Sequence, residues 1–489
     1  MSKKFQNFIN GKWCDASGSK TFENRNPARW KEVIGLFPSS HAEDVDRAVK
    51  SAREGFKEWS QLPPPTRGLI LKKAGDILTS RKEEIAKEMT QEMGKVLPET
   101  KGDVQEAIDT AYYAASETRR FFTHTVPSEL PSKFATTVRR PVGVAAIITP
   151  WNFPLAVPTW KIFPALACGN AIVWKPAEDT PKTADIFVKI LLESGLPSKV
   201  VQLVHGLGES AGEPLVKHPG VDLISFTGST EVGKRITACA GIKKISLEMG
   251  GKNAVVVTPS ARLDLAVEGI LWGAFGTTGQ RCTATSRLIV HKDVHHRLVS
   301  SLVYEAKKLK LGDGLKKGTQ VGPLINEAQF KKVSSYMKIA REDGADIVAG
   351  GKGDSSEGWF FEPTILDNVK PHMRVAQEEI FGPVLSVIEY EDFDEALKIV
   401  NDTQYGLSSS VYTIDVNEAF RAIEKIETGI TYINAPTIGA EAHLPFGGVK
   451  GTGNGHREGG WPVYDFFSEV KTVYVDYSGK LQRAQIDNY

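Results

Sequence analysis

One cysteine, Cys282, lies in a segment that could make it a nucleophile. Residues 279–283 are Gly-Gln-Arg-Cys-Thr, between a helical pattern at 265–275 and a predicted strand at 287–290. A turn there supplies free backbone N–H groups, and these favour the thiolate together with the Arg281 charge. Most free cysteines are instead small buried apolar residues. The segment alone leaves both a reactive and an inert thiol open.

Three glycine-rich segments could hold a phosphate. Residues 206–212 follow a predicted strand but have one residue too many for the dinucleotide fingerprint, so an ordinary strand-to-helix turn explains them equally well. Residues 228–235 end in Arg235 where a nucleotide triphosphatase carries Ser or Thr, which argues against an ATPase. The helix predicted after this loop would present its first N–H groups to a pyrophosphate without a metal. Residues 447–455 are interpreted as a flexible closing loop near a pocket.

The elements that must position these residues follow an α/β pattern. Short β-branched runs alternate with helical segments, which predicts βαβ units and mostly parallel sheets in two domains joined near residues 250–251. A hairpin is expected at 8–13, with Asn-Gly as its turn, and amphipathic helices at 42–117. A strand at 472–477 could pair with another sheet edge. The other predicted strands lie at 144–148, 171–174, 200–204, 222–226, 384–390 and 408–412, and the predicted helices at 160–168, 186–192 and 209–217.

Composition excludes several classes of protein. The net charge is +1, so no broad positive field would attract a nucleic acid. Four cysteines in 489 residues are too few for a disulfide framework and lack zinc-ligand spacing, so no metal site is expected. We expect a cytoplasmic protein without a secretory signal or a membrane span. The other three cysteines, Cys14, Cys168 and Cys239, are expected to be inert.

Seven motifs occur in an order that is specific enough to indicate a family. The motifs are Pro-Trp-Asn-Phe-Pro at 150–154, Lys-Pro-Ala-Glu at 175–178, Phe-Thr-Gly-Ser-Thr at 226–230, Leu-Glu-Met-Gly-Gly at 247–251, Gly-Gln-Arg-Cys at 279–282, Glu-Glu-Ile-Phe-Gly-Pro at 378–383 and Pro-Phe-Gly-Gly at 445–448. With these motifs, the chain resembles the aldehyde dehydrogenase superfamily over essentially its whole length.

The resemblance implies roles for three catalytic residues. Cys282 resembles the nucleophile that adds to the aldehyde carbon, and the Asn152 amide resembles the donor that holds the resulting oxyanion. Glu248 resembles the general base that activates water for hydrolysis of the thioester. Members that transfer the acyl group to coenzyme A commonly lack this glutamate, so its presence implies a free carboxylic acid as the product.

The resemblance also implies a nicotinamide dinucleotide cofactor. Lys175 and Glu178 resemble the residues that bind the adenosine ribose, and a carboxylate at 178 would accept ribose hydroxyls but repel a 2′-phosphate. NAD is therefore expected over NADP, although Lys175 leaves NADP possible. The other expected cofactor contacts are the pyrophosphate site at Gly228 and Ser229, and Glu379, Phe381 and Trp151 at the nicotinamide end.

The substrate is less well defined by the sequence. Arg281 departs from the small or apolar residue that many relatives carry, and it could bind a substrate carboxylate, form a structural ion pair or promote the thiolate. Phe153, Trp160 and Phe446 are expected as an aromatic wall, although core packing would explain them too. Residues 437–458 resemble the members that oxidise 2-oxoglutarate semialdehyde. Succinic semialdehyde, or a broad range of aldehydes, is the alternative.

The expected fold follows from the same resemblance. It has two Rossmann-like parallel-sheet domains, one for the cofactor (1–120 and 141–250) and one for catalysis (251–464). A small β oligomerisation element (121–140 and 465–489) would make a homodimer or homotetramer. A thiol-dependent hydrolase and a non-enzymatic binding role are the rival interpretations. The cofactor motifs argue against the hydrolase, and the intact nucleophile, oxyanion donor and base argue against the binding role.

Overall fold

The computed structural model describes residues 3–486 and has two seven-stranded sheets, each covered by helices. The helices are α1 (Ala42–Trp59), α2 (Pro64–Ser80), α3 (Lys82–Met93), α4 (Leu97–Glu117), α5 (Ala156–Cys168), α6 (Pro181–Glu193), α7 (Glu213–Lys217), α8 (Thr230–Cys239), α9 (Leu263–Phe275), α10 (Lys292–Ala306), α11 (Glu327–Asp343), α12 (Arg374–Gln377), α13 (Phe393–Asn401), α14 (Val416–Lys425) and α15 (Val463–Phe466). A π-helical turn at Gly208–Gly212 and a 3₁₀ turn at Gly276–Gly279 complete the helical segments of the described residues.

The strands form these two sheets and several smaller ones. They are β1 (Asn7–Ile9), β2 (Lys12–Cys14), β3 (Thr21–Arg25), β4 (Val33–Pro38), β5 (Thr125–Pro127), β6 (Lys133–Pro141), β7 (Val144–Ile148), β8 (Ala171–Lys175), β9 (Val201–Leu203), β10 (Leu223–Thr227), β11 (Lys244–Glu248), β12 (Asn253–Val257), β13 (Thr285–His291), β14 (Asp346–Ala349), β15 (Gly353–Asp354), β16 (Phe360–Phe361), β17 (Thr364–Asp367), β18 (Val384–Tyr390), β19 (Tyr405–Gly406), β20 (Ser408–Tyr412), β21 (Ile430–Ile433), β22 (Val449–Lys450) and β23 (Ser468–Asp476).

The first sheet has the order β11-β10-β7-β8-β9-β1-β2. Its first five strands are parallel, as the alternation of strands and helices predicted, and β1 adds an antiparallel edge. The predicted hairpin is confirmed: β1 and β2 pair around Asn10 and Gly11, which both have positive φ, as this turn type requires.

The second sheet has the order β14-β17-β18-β13-β12-β20-β21 and is parallel except for β14. The predicted strands at 384–390 and 408–412 have the bounds of β18 and β20. Apolar side chains of this sheet are buried on both faces, under two separate clusters of core residues. The α/β fold with two parallel sheets is therefore confirmed.

The third sheet, β23-β6-β5, is antiparallel and lies apart from the other two. The predicted tail strand exists, and it pairs along β6 of its own chain, from Ser468 opposite Pro141 to Asp476 opposite Lys133. Large apolar side chains remain exposed on this sheet at Val126, Phe134, Val470, Tyr474 and Val475. Within residues 3–486 no helix has the length and apolar character that crossing a membrane requires.

The two large sheets present opposite strand ends to the same region. Asn152, Gly228 and Glu248 lie at or just after the carboxyl ends of β7, β10 and β11 in the first sheet. Cys282 and Glu379 lie just before the amino ends of β13 and β18 in the second sheet. The predicted functional residues therefore meet at the seam between the sheets.

Candidate active site

The position of Cys282 is fixed by an unusual turn. Thr277 and Thr278 have φ angles of 53° and 56°, and Gly279 has a φ of 67°. A left-handed conformation is costly for β-branched residues, so the surrounding contacts must hold this turn in place. Asn253 supplies one such contact, because its amide donates hydrogen bonds to the carbonyls of Cys282 (2.7 Å) and Ala284 (2.9 Å).

Two cavities meet at Cys282. One has a volume of about 120 Å³ and the other about 210 Å³. Both are lined by Cys282 together with Val157, Thr227 and Met249. A thiol at the junction of two cavities can react with a molecule held in one of them while a second molecule occupies the other.

The Cys282 thiol is protonated in this geometry. Burial raises its pKa to about 12, and the nearby carboxyls of Glu379 and Glu248 add to the rise. Arg281 does not offset this, because its side chain turns towards Glu99 and Thr277. The prediction that the Arg281 charge favours a thiolate is therefore wrong for this arrangement.

Glu248 ends β11 inside the smaller cavity. It is buried, and the backbone N–H of Gly448 lies against its carboxyl. Burial raises its pKa to about 8, while the charges of Lys161 and Arg457 oppose that rise. Glu248 can thus exchange a proton close to neutral pH, which is what a general base requires.

A buried ion pair lies behind Glu248. Lys161 of α5 contacts the carboxylate of Glu458, which lines the smaller cavity, and also donates to the Ser225 hydroxyl at 3.1 Å. Burial lowers the pKa of Lys161 to about 7, although Glu248 acts against this. The sequence reasoning missed this pair. The signal was a lysine in the otherwise apolar helix α5.

Asn152 lies in the larger cavity with Cys282. Its side chain is buried and donates one hydrogen bond to the carbonyl of Gln280 at 3.1 Å. An amide nitrogen carries two hydrogens, so Asn152 keeps a second donor for an oxygen bound in that cavity.

Arg281 and the three expected aromatic residues all line the smaller cavity. The guanidinium donates to Thr277 at 2.9 Å and lies 3.5 Å from the Glu99 carboxylate. The structural ion pair proposed for Arg281 is thus present. The residue also faces the cavity, with its guanidinium 5.3 Å from the ring centroid of Phe153.

Aromatic rings form one wall of this cavity. Trp160 and Phe446 meet edge to face, with their centroids 4.8 Å apart. The buried indole N–H of Trp160 has no partner among residues 3–486. Glu106 of α4 lines the cavity as well, and the sequence reasoning did not identify it.

A third cavity, of about 380 Å³, follows the carboxyl edge of the first sheet. Lys175 and Glu178 both line it, and their side chains are 3.0 Å apart. Lys175 is buried, whereas the Glu178 side chain is 41% exposed. The rest of the lining is largely apolar and includes Ile148, Leu207, Val216, Val232 and Ile236.

The glycine loop at 228–235 begins α8, as the sequence predicted. Ser229 is its N-cap and accepts a hydrogen bond from the Val232 N–H at 3.3 Å. A side chain at position 228 would overlap the ring of Phe226. Gly228 and Ser229 line the cavity that Cys282 and Asn152 share.

The other end of that cavity holds Glu379, Phe381 and Trp151. The Gly251 N–H donates to Glu379 at 2.9 Å, and a Cβ at Gly250 would lie only 2.6 Å from the same carboxylate. The rings of Trp151 and Phe381 are perpendicular, with centroids 5.4 Å apart.

Residues 447–455 are not the loose closing loop that was expected. Part of this segment, β22, pairs with β19. Thr452 donates to the Gly250 carbonyl at 2.8 Å. Asn454 accepts a hydrogen bond from the Leu247 N–H and donates one to the Ile245 carbonyl, both within β11. The segment holds the strand that carries Glu248. By contrast, Gly208, Glu209 and Gly212 line the 380 Å³ cavity, as residues of a phosphate or ribose loop would.

Comparison with known proteins identifies the family. The model of the aldehyde dehydrogenase family matches residues 13–473. This chain belongs to the aldehyde dehydrogenase family. Among curated relatives, the alpha-ketoglutarate semialdehyde dehydrogenase of Haloferax volcanii is 42% identical over 98% of this chain and 100% of its own length. The alpha-ketoglutaric semialdehyde dehydrogenase of Bacillus subtilis strain 168 is 41% identical over 96% of this chain and 98% of its own length.

Solved structures of aldehyde dehydrogenases have the same fold. Betaine aldehyde dehydrogenase from Staphylococcus aureus, in complex with NAD⁺, superposes with a TM-score of 0.95 at 35% identity, over 97% of this chain and 95% of that one. An NAD-dependent aldehyde dehydrogenase from Sinorhizobium meliloti gives a TM-score of 0.96 at 34% identity, over 98% and 96% of the two chains. The recognition of the family from its motifs is confirmed.

Proposed function

We propose that this aldehyde dehydrogenase oxidises an aldehyde to the free carboxylic acid with NAD, through a covalent intermediate on Cys282. One observation carries the proposal: the thiol lies where two cavities meet, with a carboxyl on one side and an amide donor on the other. This arrangement suits addition of the thiol to a carbonyl in the smaller cavity.

The residues at the seam divide the chemistry between them. The Cys282 sulfur bonds to the aldehyde carbon while the proton of the thiol passes to solvent. The Asn152 amide and the Cys282 backbone N–H hold the oxyanion of the thiohemiacetal. Losing one such donor typically costs about 10²–10³ in rate.

The product is released by hydrolysis. After the oxidation, the acyl group remains on Cys282 as a thioester. Glu248 then takes a proton from water as the water oxygen bonds to the acyl carbon. The C–S bond breaks to release the carboxylic acid, and the departing thiolate takes the proton back from Glu248. This role requires Glu248 to be deprotonated.

The residues of the two larger cavities fit a nicotinamide dinucleotide. When bound, this cofactor supplies the hydride acceptor. Glu178 would accept the adenosine ribose hydroxyls, the N–H groups that begin α8 would bind the pyrophosphate, and Glu379 would bind the nicotinamide ribose. NAD is preferred over NADP because a 2′-phosphate would meet the Glu178 carboxylate. Lys175 beside it leaves NADP possible.

We further propose 2-oxoglutarate semialdehyde as the substrate. Arg281 supports this, because it is the only cation among the residues lining the smaller cavity in the described chain. The names of the Haloferax and Bacillus relatives point the same way. Succinic semialdehyde, named in an Arabidopsis thaliana relative at 38% identity, is the second candidate.

Reduction of NAD with a panel of aldehydes tests the proposal. The panel contains 2-oxoglutarate semialdehyde, succinic semialdehyde, betaine aldehyde and pentanal, with wild type and Cys282→Ala. We expect the fastest NADH formation with the anionic aldehydes and none in the variant. Equal kcat/KM for pentanal would overturn the substrate assignment and leave the dehydrogenase intact. No reduction with any aldehyde, together with ester hydrolysis, would favour the thiol-dependent hydrolase.

The organisation of the whole molecule is also a proposal. We assign 1–120 and 141–250 to the cofactor domain, 251–464 to the catalytic domain, and 121–140 with 465–489 to oligomerisation; residues 487–489 lie outside the described part. The exposed apolar side chains on β5, β6 and β23 support a homodimer or homotetramer. Four free cysteines support a cytoplasmic location.

A further inference from the structure

Helix α4 turns three carboxyls towards the substrate side of Cys282. Glu99, Asp103 and Glu106 are spaced four and three residues apart, so they share one face of the helix. Two of them have partners. Glu99 accepts the Thr277 N–H at 2.7 Å and pairs with Arg281.

Asp103 is fully engaged as well. Its two oxygens accept hydrogen bonds from Lys95, at 2.6 Å, and from the Ala156 N–H, at 2.7 Å. Glu106 differs: its carboxyl has no ion pair or hydrogen bond among the described residues, although it lines the 120 Å³ cavity. The face therefore presents one free carboxyl to whatever the cavity binds.

An ionised Glu106 would oppose the binding of an anion. The cavity already holds the carboxyls of Glu248 and Glu458, and Arg281 is the one cation in its described lining. Glu458 is paired with Lys161, and burial raises the pKa of Glu248 to about 8. The protonation state of Glu106 therefore determines whether the carboxylate of a bound substrate lies beside another negative charge.

We propose that Glu106 recognises the substrate as a protonated carboxyl, which donates a hydrogen bond to the substrate carboxylate beside Arg281. A protonated carboxyl is a donor as well as an acceptor, so it complements an anion that a carboxylate would repel. This inference rests on the proposed anionic substrate. It makes Glu106 a residue that determines specificity, with no part in bond making.

The surroundings of Glu106 support the protonated state. Burial raises its pKa to about 8, and Asp103 and Asp109 raise it further, against the charges of Lys95 and Arg281. From β21, Tyr432 also faces this group, and burial and the carboxyls of Glu441 and Glu106 raise the pKa of its phenol. A substrate carboxylate would shift Glu106 further towards the protonated form, so binding should take up a proton at mildly alkaline pH.

A ratio of two substrates isolates this effect. Glu248 also titrates near pH 8. Its part as a base serves both substrates and cancels in the ratio of kcat/KM for 2-oxoglutarate semialdehyde to kcat/KM for pentanal, and any repulsion of the anion by its carboxylate remains in Glu106→Gln, so the difference between wild type and this variant reports on Glu106. We expect the ratio in wild type to fall about tenfold or more between pH 7 and 9.5, because Glu106 loses its proton. Glu106→Gln keeps a donor without a titrating proton, so its ratio should fall much less than that of wild type.

Two further variants serve as references. Asp109→Asn removes an exposed carboxyl from the next turn of α4 that raises the pKa of Glu106, so the fall should remain but move to slightly lower pH. Glu106→Leu removes the donor, so its ratio should be low at every pH. A flat ratio in wild type, or a fall in Glu106→Gln as steep as in wild type, would overturn the role of Glu106.

Calorimetry provides a readout that is independent of turnover. Binding of glutarate to Cys282→Ala at pH 8, measured in two buffers of different ionisation enthalpy, should show proton uptake, which Glu106→Gln abolishes. Equal uptake in both proteins would contradict the proposal. So would a wild-type preference for an ammonium-bearing aldehyde such as 4-aminobutanal. If wild type fails to prefer the anionic aldehyde at pH 7, the proposed substrate class fails; if the preference exists but ignores pH, only the inference about Glu106 fails.

Discussion

The 380 Å³ cavity around Lys175, called the cleft below, and the smaller cavity around Glu248, called the pocket below, both contain lysine and glutamate side chains, but in opposite surroundings. In the cleft, Lys175 pairs with a Glu178 side chain that is 41% exposed to solvent. In the pocket, the side chains of Lys161 and Glu458 are 0% and 4% exposed, and Glu248 is 3% exposed. Water screens the first pair and is excluded from the second.

The difference separates recognition from proton transfer. A solvated carboxylate such as Glu178 selects a ligand by charge and hydrogen bonding. A desolvated one such as Glu248 holds a proton near neutral pH and can exchange it during a reaction. Substitutions in the pocket should therefore change rates by orders of magnitude, whereas substitutions in the cleft should mainly change which cofactor is used.

The strongest test of the pocket is Cys282→Ser. A hydroxyl in this site is a far weaker nucleophile, so kcat should fall about 10⁴-fold or more. NADH absorbance measures the fall. Mass spectrometry of the quenched enzyme should detect the acyl adduct in wild type and not in the variant. Cys14→Ser, far along the sequence, should behave as wild type. Retention of more than a tenth of the activity in Cys282→Ser would remove this thiol from the mechanism.

Replacing the pocket carboxyl, by Glu248→Gln, should slow deacylation about 10²–10⁴-fold. Stopped-flow absorbance should still show a burst of NADH, followed by a slow steady state. In wild type, the deacylation rate should rise with pH through about 8 and level off above it, because the base form increases as Glu248 loses its proton. Glu231→Gln, at an exposed carboxyl of α8, is the control. A pH profile that persists unchanged in Glu248→Gln would assign the titration to another group.

Asn152→Ala tests the donor on the other side of the thiol. The loss of one oxyanion contact should lower kcat/KM about 10²–10³-fold for every aldehyde of the panel. Alkylation of Cys282 by iodoacetamide should remain close to wild type, because this reaction forms no oxyanion. Unchanged kinetics would show that the second amide hydrogen of Asn152 is not used.

Arg281→Leu should lower kcat/KM for 2-oxoglutarate semialdehyde about 10–100-fold relative to pentanal, because a charged hydrogen bond to the substrate carboxylate is lost. Arg281→Lys keeps the charge without the bidentate geometry, so its kcat/KM for 2-oxoglutarate semialdehyde should lie between the values of wild type and Arg281→Leu. An equal loss of kcat/KM for both aldehydes would mean that Arg281 has only a structural role, through its contacts with Glu99 and Thr277.

The smallest effect is expected in the cleft. Glu178→Gln should raise the ratio of kcat/KM for NADP to that for NAD about tenfold, because the repulsion of the 2′-phosphate is lost while the ribose contact remains. Glu209→Gln, at a largely exposed carboxyl of the same cleft, is the matched control. An unaltered ratio would mean that Glu178 does not select the cofactor.

Sequence reasoning was most successful where the determinants are local. The bounds of β7, β18 and β20 follow from runs of β-branched and small residues, and the β1–β2 hairpin follows from a two-residue turn. The seven motifs were sufficient to recognise the family, and the structure brings Cys282 and Asn152 into one cavity.

The remaining features depend on contacts that the sequence does not show. Arg281 pairs with Glu99, which is 182 residues away, and Lys161 with Glu458, which is 297 residues away. Desolvation of Cys282 also depends on the closed fold around it, so a neighbouring arginine in sequence was a poor guide to the pKa of the thiol. Glu106 carries no motif; its position on the substrate side of α4 became visible only in three dimensions.

Gly279 illustrates how little of this centre is free to vary independently. A side chain there would overlap the carbonyl of Gly382, which directly follows Phe381 and lies three residues from Glu379. The turn that carries the thiol and the segment expected to bind the cofactor are therefore in close backbone contact at a point where neither contributes a reactive group. A substitution in the wall of the substrate cavity or in the adenosine cleft can change one binding site alone, but a substitution at this contact would displace both the thiol and the cofactor segment.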